Sequence, residues 1–443
     1  MKTIYEPDFL LQGGGFLPHL ALAAEGDTIL AVDAPNALKE RYPDAELQRW
    51  PGLAMLPGTV NTHNHAFQVM LRGLACDRPF LEWRDRALYR YSPKFTPEDV
   101  YASALLDFCE QARCGVTTVS EFFYLHSFGL ECDEAVIRAA GDAGVRLVLA
   151  RTMYDWDGAP AGYVESVRQA VENTRALARE HAGDPGVTVL PAPHSLHAAS
   201  PEMVVAGHGL ARELGTRFHI HVAEEPFEVE QVKKAHGGLT PLEFLDSLGV
   251  LDDRLAIIHG VWLKGAEIDL LGARGGCLAY CPGSNMYLAD GVTDLPRMLR
   301  AGVTVGLGCD GACANSRNSI FEEMRMASLL QKASTCDALC VTYDQVMDMG
   351  TRGGADLLEL PVGELAPGKK ADLVGIAIDD LSLQPVSPSG AQLVPNLVYS
   401  MQPSAVRRVT VGGRPVVEDG ALCTVPEARV LELSRACMRR IGL

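Results

Sequence analysis

FTPEDVYASALLDFCEQARCGVTTVSEF, residues 95–122, changes its period partway along. Thr96 reads as an N-cap, and Pro97 sits at the first helical position. Val100, Ala104, Leu105, Phe108 and Ala112 then mark one helical face, and Gly115 closes the C-terminus. From Val116 to Phe122 the pattern becomes a short, β-rich apolar run. A helix that feeds a strand is the repeating unit of an α/β fold.

The unit recurs along the chain. Comparable runs lie at Gly58–Asn61, Val116–Phe122, Val145–Ala150, Val187–Pro193, Arg217–Val222, Leu255–His259, Gly276–Cys281 and Val303–Cys309, with helix signals between them. Eight such units are the count of a (β/α)8 TIM barrel, in which reactive residues are expected where strands end. A doubly wound sheet is the rival, but eight units with polar ends fit the barrel better. The flanks, 1–57 and 365–443, read instead as short strands with turns. The tail carries GELAPGKKADLVGIAI and VRRVTVGGRPVVEDG, the latter with a Gly-Gly turn between alternating runs. Both flanks are expected to meet as one small β-sandwich domain beside a barrel spanning 58–364.

Composition narrows the function. The chain has 443 residues, of which 47% are hydrophobic, ample for a large core. Lys and Arg number 39 against 56 Asp and Glu, a net charge of −17. Without basic runs, so acidic a chain is a poor binder of nucleic acid or of an anionic membrane surface. A small-molecule substrate suits it better. The opening MKTIYEPDFLLQGGGF lacks the apolar stretch of a signal peptide. No run of roughly 18 uncharged apolar residues would span a membrane. Twelve cysteines, with no Cys-x-x-Cys, read as reduced thiols, so a cytoplasmic protein is expected.

All twelve histidines lie at or before 259. In LPGTVNTHNHAFQ, His63 and His65 stand two apart, so on a strand they face the same side. Two converging imidazoles begin a metal site, although a solvent-facing polar pair has the same spacing. In FHIHVAEE, His219 and His221 repeat the pattern, and Glu224 falls where strand gives way to loop. A carboxylate there can carry protons beside a metal's water, or simply favour a helix start. His259 ends LAIIHG, and Asp310 follows the eighth run in VGLGCDGACANS. No histidine lies beyond 259, so a ligand from the last strands must be a carboxylate, and Asp310 is the acid at that strand end. Any one of these residues could be structural. Four strand ends each offering a metal-type residue are hard to obtain by chance.

The set LPGTVNTHNH, HIHVAEE, IIHG and GLGCDG, followed by MGTRGGADLL and GELAPGKKADLV, resembles the amidohydrolase superfamily. It is most similar to the mononuclear-zinc deaminase branch that acts on purines, pterins, triazines and formimino compounds. The resemblance implies that His63, His65, His221 and Asp310 bind one divalent metal, zinc by expectation and ferrous iron as the alternative. His219 is then left a packing role. No lysine occurs in VTVLPAPHSL, so the carbamylated lysine that bridges two metals in other branches has no candidate. The implied reaction is hydrolytic deamination of an amidine-like carbon by metal-activated hydroxide, releasing ammonia. In it Asp310 accepts the water's proton, His259 orients the nucleophile, and Glu224 moves a proton to the ring and then to the leaving group. Metal lowers the pKa of bound water towards ~7, which makes this possible at neutral pH.

For the substrate, HNHAFQ, WRDRALYR and EFFYLHS resemble formiminoglutamate deiminase, which implies that Gln68, Arg84, Tyr124 and His194 line the pocket. That family reads His-Ser-Leu-Arg where this chain has His194-Ser195-Leu196-His197. An imidazole is a poor replacement for a bidentate arginine clamp. CPGSNMYLADG and GLGCDGACANS instead resemble heterocycle deaminases, including 8-oxoguanine deaminase and triazine hydrolases. The expected substrate is therefore a small heterocyclic amine, of purine, pterin or triazine type, with His197 among its contacts. An N-formimino amino acid, or a triazine with another leaving group, is the alternative. Each pocket residue also has a plainer reading: Tyr124 as core-edge packing, Arg84 with Arg86 and Arg90 as a solvated helix face, Gln68 as a helix cap. A non-catalytic relative and a dihydroorotase-type hydrolase fit less well, since every chemical residue is present and the bridging lysine is not. The resemblance also allows a homodimer.

Overall fold

The computed structural model describes residues 1–443. Each of the eight expected runs is a strand: β1 (Thr59–Asn64), β2 (Val116–Phe123), β3 (Arg146–Met153), β4 (Val187–Pro193), β5 (Phe218–Val222), β6 (Leu255–His259), β7 (Cys277–Tyr280) and β8 (Thr304–Leu307). β1–β4 form one parallel sheet and β5–β8 another. At the seams stand two isolated parallel bridges, Asn64 to Asp310 and Ser195 to His221. Buried on both faces, the strands read as nearly continuous apolar runs, as parallel strands covered by helices do.

Most boundaries shift by at most one residue, but β1 and β3 run three residues past their expected ends, β3 to Met153. β1 runs on to Asn64 and takes His63 into the strand. β8 stops at Leu307, two residues short of the expected end. Gly308 there passes so close that an added Cβ would lie 2.9 Å from both Cys281 Sγ and His63 Cβ. The backbone can cross at that point only without a side chain.

The helix Pro97–Arg113 has the expected cap, reinforced because Asp99 answers Thr96 in a capping box. Its predicted apolar face is buried, but so are Asp107 and Gln111, which point at the site. Strands from both flanks form one mixed nine-stranded sheet, where a sandwich was expected. Its centre is Glu46–Pro57, parallel to Lys2–Gln12 and antiparallel to Leu373–Ala377. The C-terminal flank is not all strand. The helix Glu427–Ile441 ends it, and Arg440 donates to Asp99 on Pro97–Arg113 at 2.7 Å. No helix is long and apolar enough to cross a membrane.

Candidate metal centre and pocket

The strand ends bring His63, His65, His221, His259 and Asp310 together. The coordinating atoms of His63, His65 and His221 lie within 4.8 Å of one another, as do those of His63, His259 and Asp310. Three of these imidazoles have their orientation set from behind. His65 Nδ1 donates to the Phe122 carbonyl at 2.6 Å, and His221 Nδ1 to the His194 carbonyl at 2.8 Å. His259 Nδ1 donates to Asn285 Oδ1 at 2.9 Å. With Nδ1 protonated, each presents a bare Nε2 to the centre. Asp310 Oδ1 stands 3.6 Å from His65 Nε2 and 3.7 Å from His63 Nε2, while His63 and His221 face each other Nε2 to Nε2 at 3.2 Å.

This is a set of buried lone pairs aimed at one another at the end of a pocket. Burial, followed by mutual repulsion among the imidazoles, holds His63 and His221 far below the ordinary histidine range. His63 Nδ1 is buried without a partner. Neutral imidazoles and a carboxylate converging in this way fit a divalent cation that takes nitrogen and oxygen ligands. His259 and Asp310 also carry left-handed backbone, with φ of 68° and 57°, as does Ala223 at 54°. Such conformations cost of order 1–3 kcal/mol each and concentrate at functional sites.

Behind the centre lies a polar network that the sequence reading missed. Glu121 on β2 accepts from Asn64 Nδ2 at 2.7 Å and from the Ala66 amide at 2.9 Å, gripping the chain on either side of His65. Asp107 accepts from Asn64 and Gln111 at 2.9 and 2.6 Å. Burial pushes the Asp107 carboxyl up to about 7 and that of Glu121 well above its usual range. The i, i+4 pair Asp107 and Gln111 on the helix was a signal available in the sequence.

Glu224 stands over the centre, its Oε1 3.4 Å from His259 Nε2. Burial, then repulsion from Asp290, Glu228 and Asp310, raises its carboxyl well above the usual range. Its amide donates to Glu228 at 3.0 Å, which fixes the turn. His219 is buried one step below His221, without a hydrogen-bond partner and outside the ligand groups. Burial likewise drives Cys309 far above the thiol range, which suits a packing role rather than a nucleophile.

One pocket contains all the remaining expected residues: Gln68, Arg84, Tyr124, His194 and His197, together with Glu224, His259 and Asp310. Gln68 is not a helix cap. Its amide donates to Tyr124 Oη at 3.2 Å and accepts from the Cys313 thiol at 3.1 Å. Arg84 is not merely solvated, because its guanidinium lies 4.5 Å over the Tyr89 ring while bonded to Asp85. Arg86 does match the solvated reading, paired with Glu82 at 2.7 Å on an exposed face. His197 shares Ser195 Oγ with His194, at 3.1 and 3.0 Å, and burial followed by Arg84 pushes it down to about 4.

The sequence reading missed Trp83, Tyr89, Tyr154 and Tyr163, which complete an aromatic wall. Tyr163 lies 4.9 Å from Tyr124 and 5.8 Å from Tyr154, whose ring is 4.7 Å from His194. Tyr154 is the first residue beyond β3, so the strand-end rule could have found it. No periodicity marks Tyr163, which ends the single 3-10 turn Ala161–Tyr163.

Residues 54–416 match the amidohydrolase family. The chain is 32% identical to a 5-methylthioadenosine/S-adenosylhomocysteine deaminase of Pelotomaculum thermopropionicum, over 99% of this chain and 97% of that protein. It is 35% identical to a 5'-deoxyadenosine deaminase of Methanothermobacter thermautotrophicus, over 91% of each. An adenosine deaminase structure from Xanthomonas campestris with bound zinc superposes with a TM-score of 0.92, at 27% identity over 99% of this chain and 98% of that one. Atrazine chlorohydrolase from Arthrobacter aurescens, at 22% identity and a TM-score of 0.90 over 98% of this chain and all of its own, shares the fold. On the strength of these matches and of the site they accompany, the chain belongs to the amidohydrolase family and is a hydrolase of carbon–nitrogen bonds.

Proposed function

We propose that this enzyme hydrolyses the exocyclic amine of a purine-type heterocycle, an adenine nucleoside before others, and releases ammonia. The observation that carries the reading is the convergence of four metal-type side chains with Glu224 and His259 at the end of an aromatic pocket. The names of the nucleoside-deaminating relatives support the purine ring. In this reading the two half-sheets close as a (β/α)8 barrel over 58–364, and 1–57 with 365–443 form the appended β-domain.

His63, His65, His221 and Asp310 would hold one zinc ion. Bound there, zinc supplies Lewis acidity, so that water is a nucleophile near neutral pH. Asp310 takes a proton from the attacking water. His259, held by Asn285, steers the water towards the carbon that bears the amine and steadies the charge that develops. Glu224 delivers a proton to the adjacent ring nitrogen, then helps to pass one to the departing amine. Water's oxygen ends on the ring carbon, the carbon–nitrogen bond breaks, and ammonia leaves. Gln68 and the tyrosines would hold the ring flat against the wall, with Arg84 and His197 facing whatever the ring carries.

The test is ammonia release by zinc-loaded enzyme from 5'-methylthioadenosine, 5'-deoxyadenosine, adenosine, pterins, aminotriazines and formimino amino acids. Turnover led by the adenine nucleosides is expected. Turnover confined to formimino amino acids would overturn the reading in favour of the second one, to which the Arg84 guanidinium in the pocket lends support.

A further inference from the structure

Arg151 is the largest charged side chain sealed inside the protein, with none of its surface exposed. It stands on β3, and its guanidinium grips both oxygens of Glu165, at 2.8 and 3.1 Å. Nε reaches Asp133 at 3.3 Å, and Nη2 reaches His126 Nδ1 at 3.5 Å. His126 donates through Nε2 to the Thr152 carbonyl at 3.1 Å, so its Nδ1 is an acceptor, and burial beside Arg151 holds it down at about 3. Asn173 adds a 2.5 Å bond to Glu165. None of these residues lines the pocket or belongs to the ligand groups.

Burying so much charge is costly, and an apolar cluster of similar volume would often be no less stable. What the network does hold is one segment, 154–165. Glu165 closes it, because its amide donates to the Tyr154 carbonyl at 2.9 Å. His126 ties down its later part, its amide donating to the Gly162 carbonyl at 2.7 Å. The contact there is so tight that a Cβ on Gly162 would fall 1.9 Å from Ser127 Oγ. Tyr154, which takes the first of these bonds, and Tyr163, next to Gly162 which takes the second, are two members of the pocket wall. At their far ends Tyr163 Oη meets Ser92 Oγ at 2.5 Å, and Tyr154 Oη meets Tyr89 Oη at 3.4 Å.

We propose that Arg151 and Glu165 are positioning residues that hold the Tyr154–Tyr163 face of the pocket, and so set substrate affinity rather than the chemical step. The inference rests on the reading that the pocket takes a planar heterocycle. A bidentate guanidinium–carboxylate pair has the directional stiffness for this task, and lysine, with a single ammonium, does not.

The experiment compares wild type with Glu165→Gln, Arg151→Lys and Arg168→Gln, using 5'-methylthioadenosine as substrate and hydrogen exchange over 154–165 as a second readout. Glu165→Gln should raise KM about tenfold with kcat within about threefold and metal content unchanged, the pattern of lost binding rather than lost chemistry. Exchange in the segment should quicken. Arg151→Lys should lie between that variant and wild type. Arg168→Gln, which removes an exposed pair with Glu172, should change neither readout. A folded Glu165→Gln enzyme with wild-type KM and exchange would overturn the proposal, as would a fall in kcat at constant KM. If Glu165→Gln fails to fold, Asn173→Ala removes a single bond to Glu165, and an unchanged KM and exchange in that variant would equally overturn it. Wild-type enzyme that releases no ammonia from any adenine nucleoside would sink the functional reading, and the exchange of 154–165 would still decide the clamp.

Discussion

The floor of the site and its wall are built from different parts of the chain, by different means. The floor stands on strand ends: His63 in β1, His221 in β5, His259 closing β6, and His65 and Asp310 just beyond their strands. Three of its imidazoles are aimed from behind, His65 by a carbonyl of β2, His221 by the carbonyl just past β4, and His259 by the Asn285 side chain. The wall begins at strand ends, with Tyr124 and Tyr154 the first residues beyond β2 and β3, but continues on broken helix and on the segment 154–165, which the Arg151–Glu165 pair braces from behind. A strand end is rigid because its ladder is cooperative, whereas a loop is as rigid as the bonds that tie it. The division suits an enzyme whose chemistry stays fixed while its substrate varies.

If the comparison is right, substitutions in the floor should abolish chemistry and those in the wall should weaken binding. The largest effect is expected from His63→Ala, with loss of bound metal and a fall in kcat of about 1000-fold or more, since Lewis acidity contributes several kcal/mol. Metal analysis beside turnover checks this, and metal retained at wild-type stoichiometry would remove His63 from the ligand set. Glu224→Gln should keep the metal yet lower kcat by about 100- to 10,000-fold, the range for a lost proton carrier. Asn285→Ala, which leaves His259 without its acceptor, should lower kcat by about 10- to 100-fold with KM little changed. Tyr163→Phe removes only the bond to Ser92 and should raise KM about fivefold at constant kcat, in line with about 1 kcal/mol for a buried hydrogen bond.

The smallest effect concerns support under the floor. Glu323 accepts from the Gly283 amide at 2.9 Å and from Asn315 Nδ2 at 2.7 Å, and burial pushes its carboxyl up to about 8 from 4.5. An acid raised by folding is neutral in the fold but ionises freely in the open chain. Its ionisation therefore favours unfolding increasingly as pH rises from 4.5 to about 8. Glu323→Gln should gain in Tm over wild type across that window, and thermal unfolding at three pH values would show it. A gain that does not grow with pH would contradict the assignment.

The same contrast explains what could be read in the sequence. Eight strands were legible because each is an apolar run between helix signals, and the floor because two-residue spacing puts His63 with His65 on one side. The resemblance then chose His221 over His219, a choice that spacing could not make. The wall was half legible. Gln68, Arg84 and Tyr124 came from likeness, while Tyr163 comes from a segment whose path depends on Arg151, Glu165 and His126, residues separated in sequence and joined only by the fold. The Glu427–Ile441 helix was legible too, since Val430, Leu433, Cys437 and Ile441 recur at helical spacing, but reading the whole flank as strands with turns passes over it.

The central claim is hydrolytic deamination at this centre. It is tested most directly by turning over 5'-methylthioadenosine in heavy-oxygen water with zinc-loaded enzyme, and then weighing the product while counting ammonia. Deamination here gives one solvent oxygen in each ring product and one ammonia for each, with both lost in Glu224→Gln enzyme that keeps its metal. A product without solvent oxygen, or undiminished turnover in that variant, would contradict it.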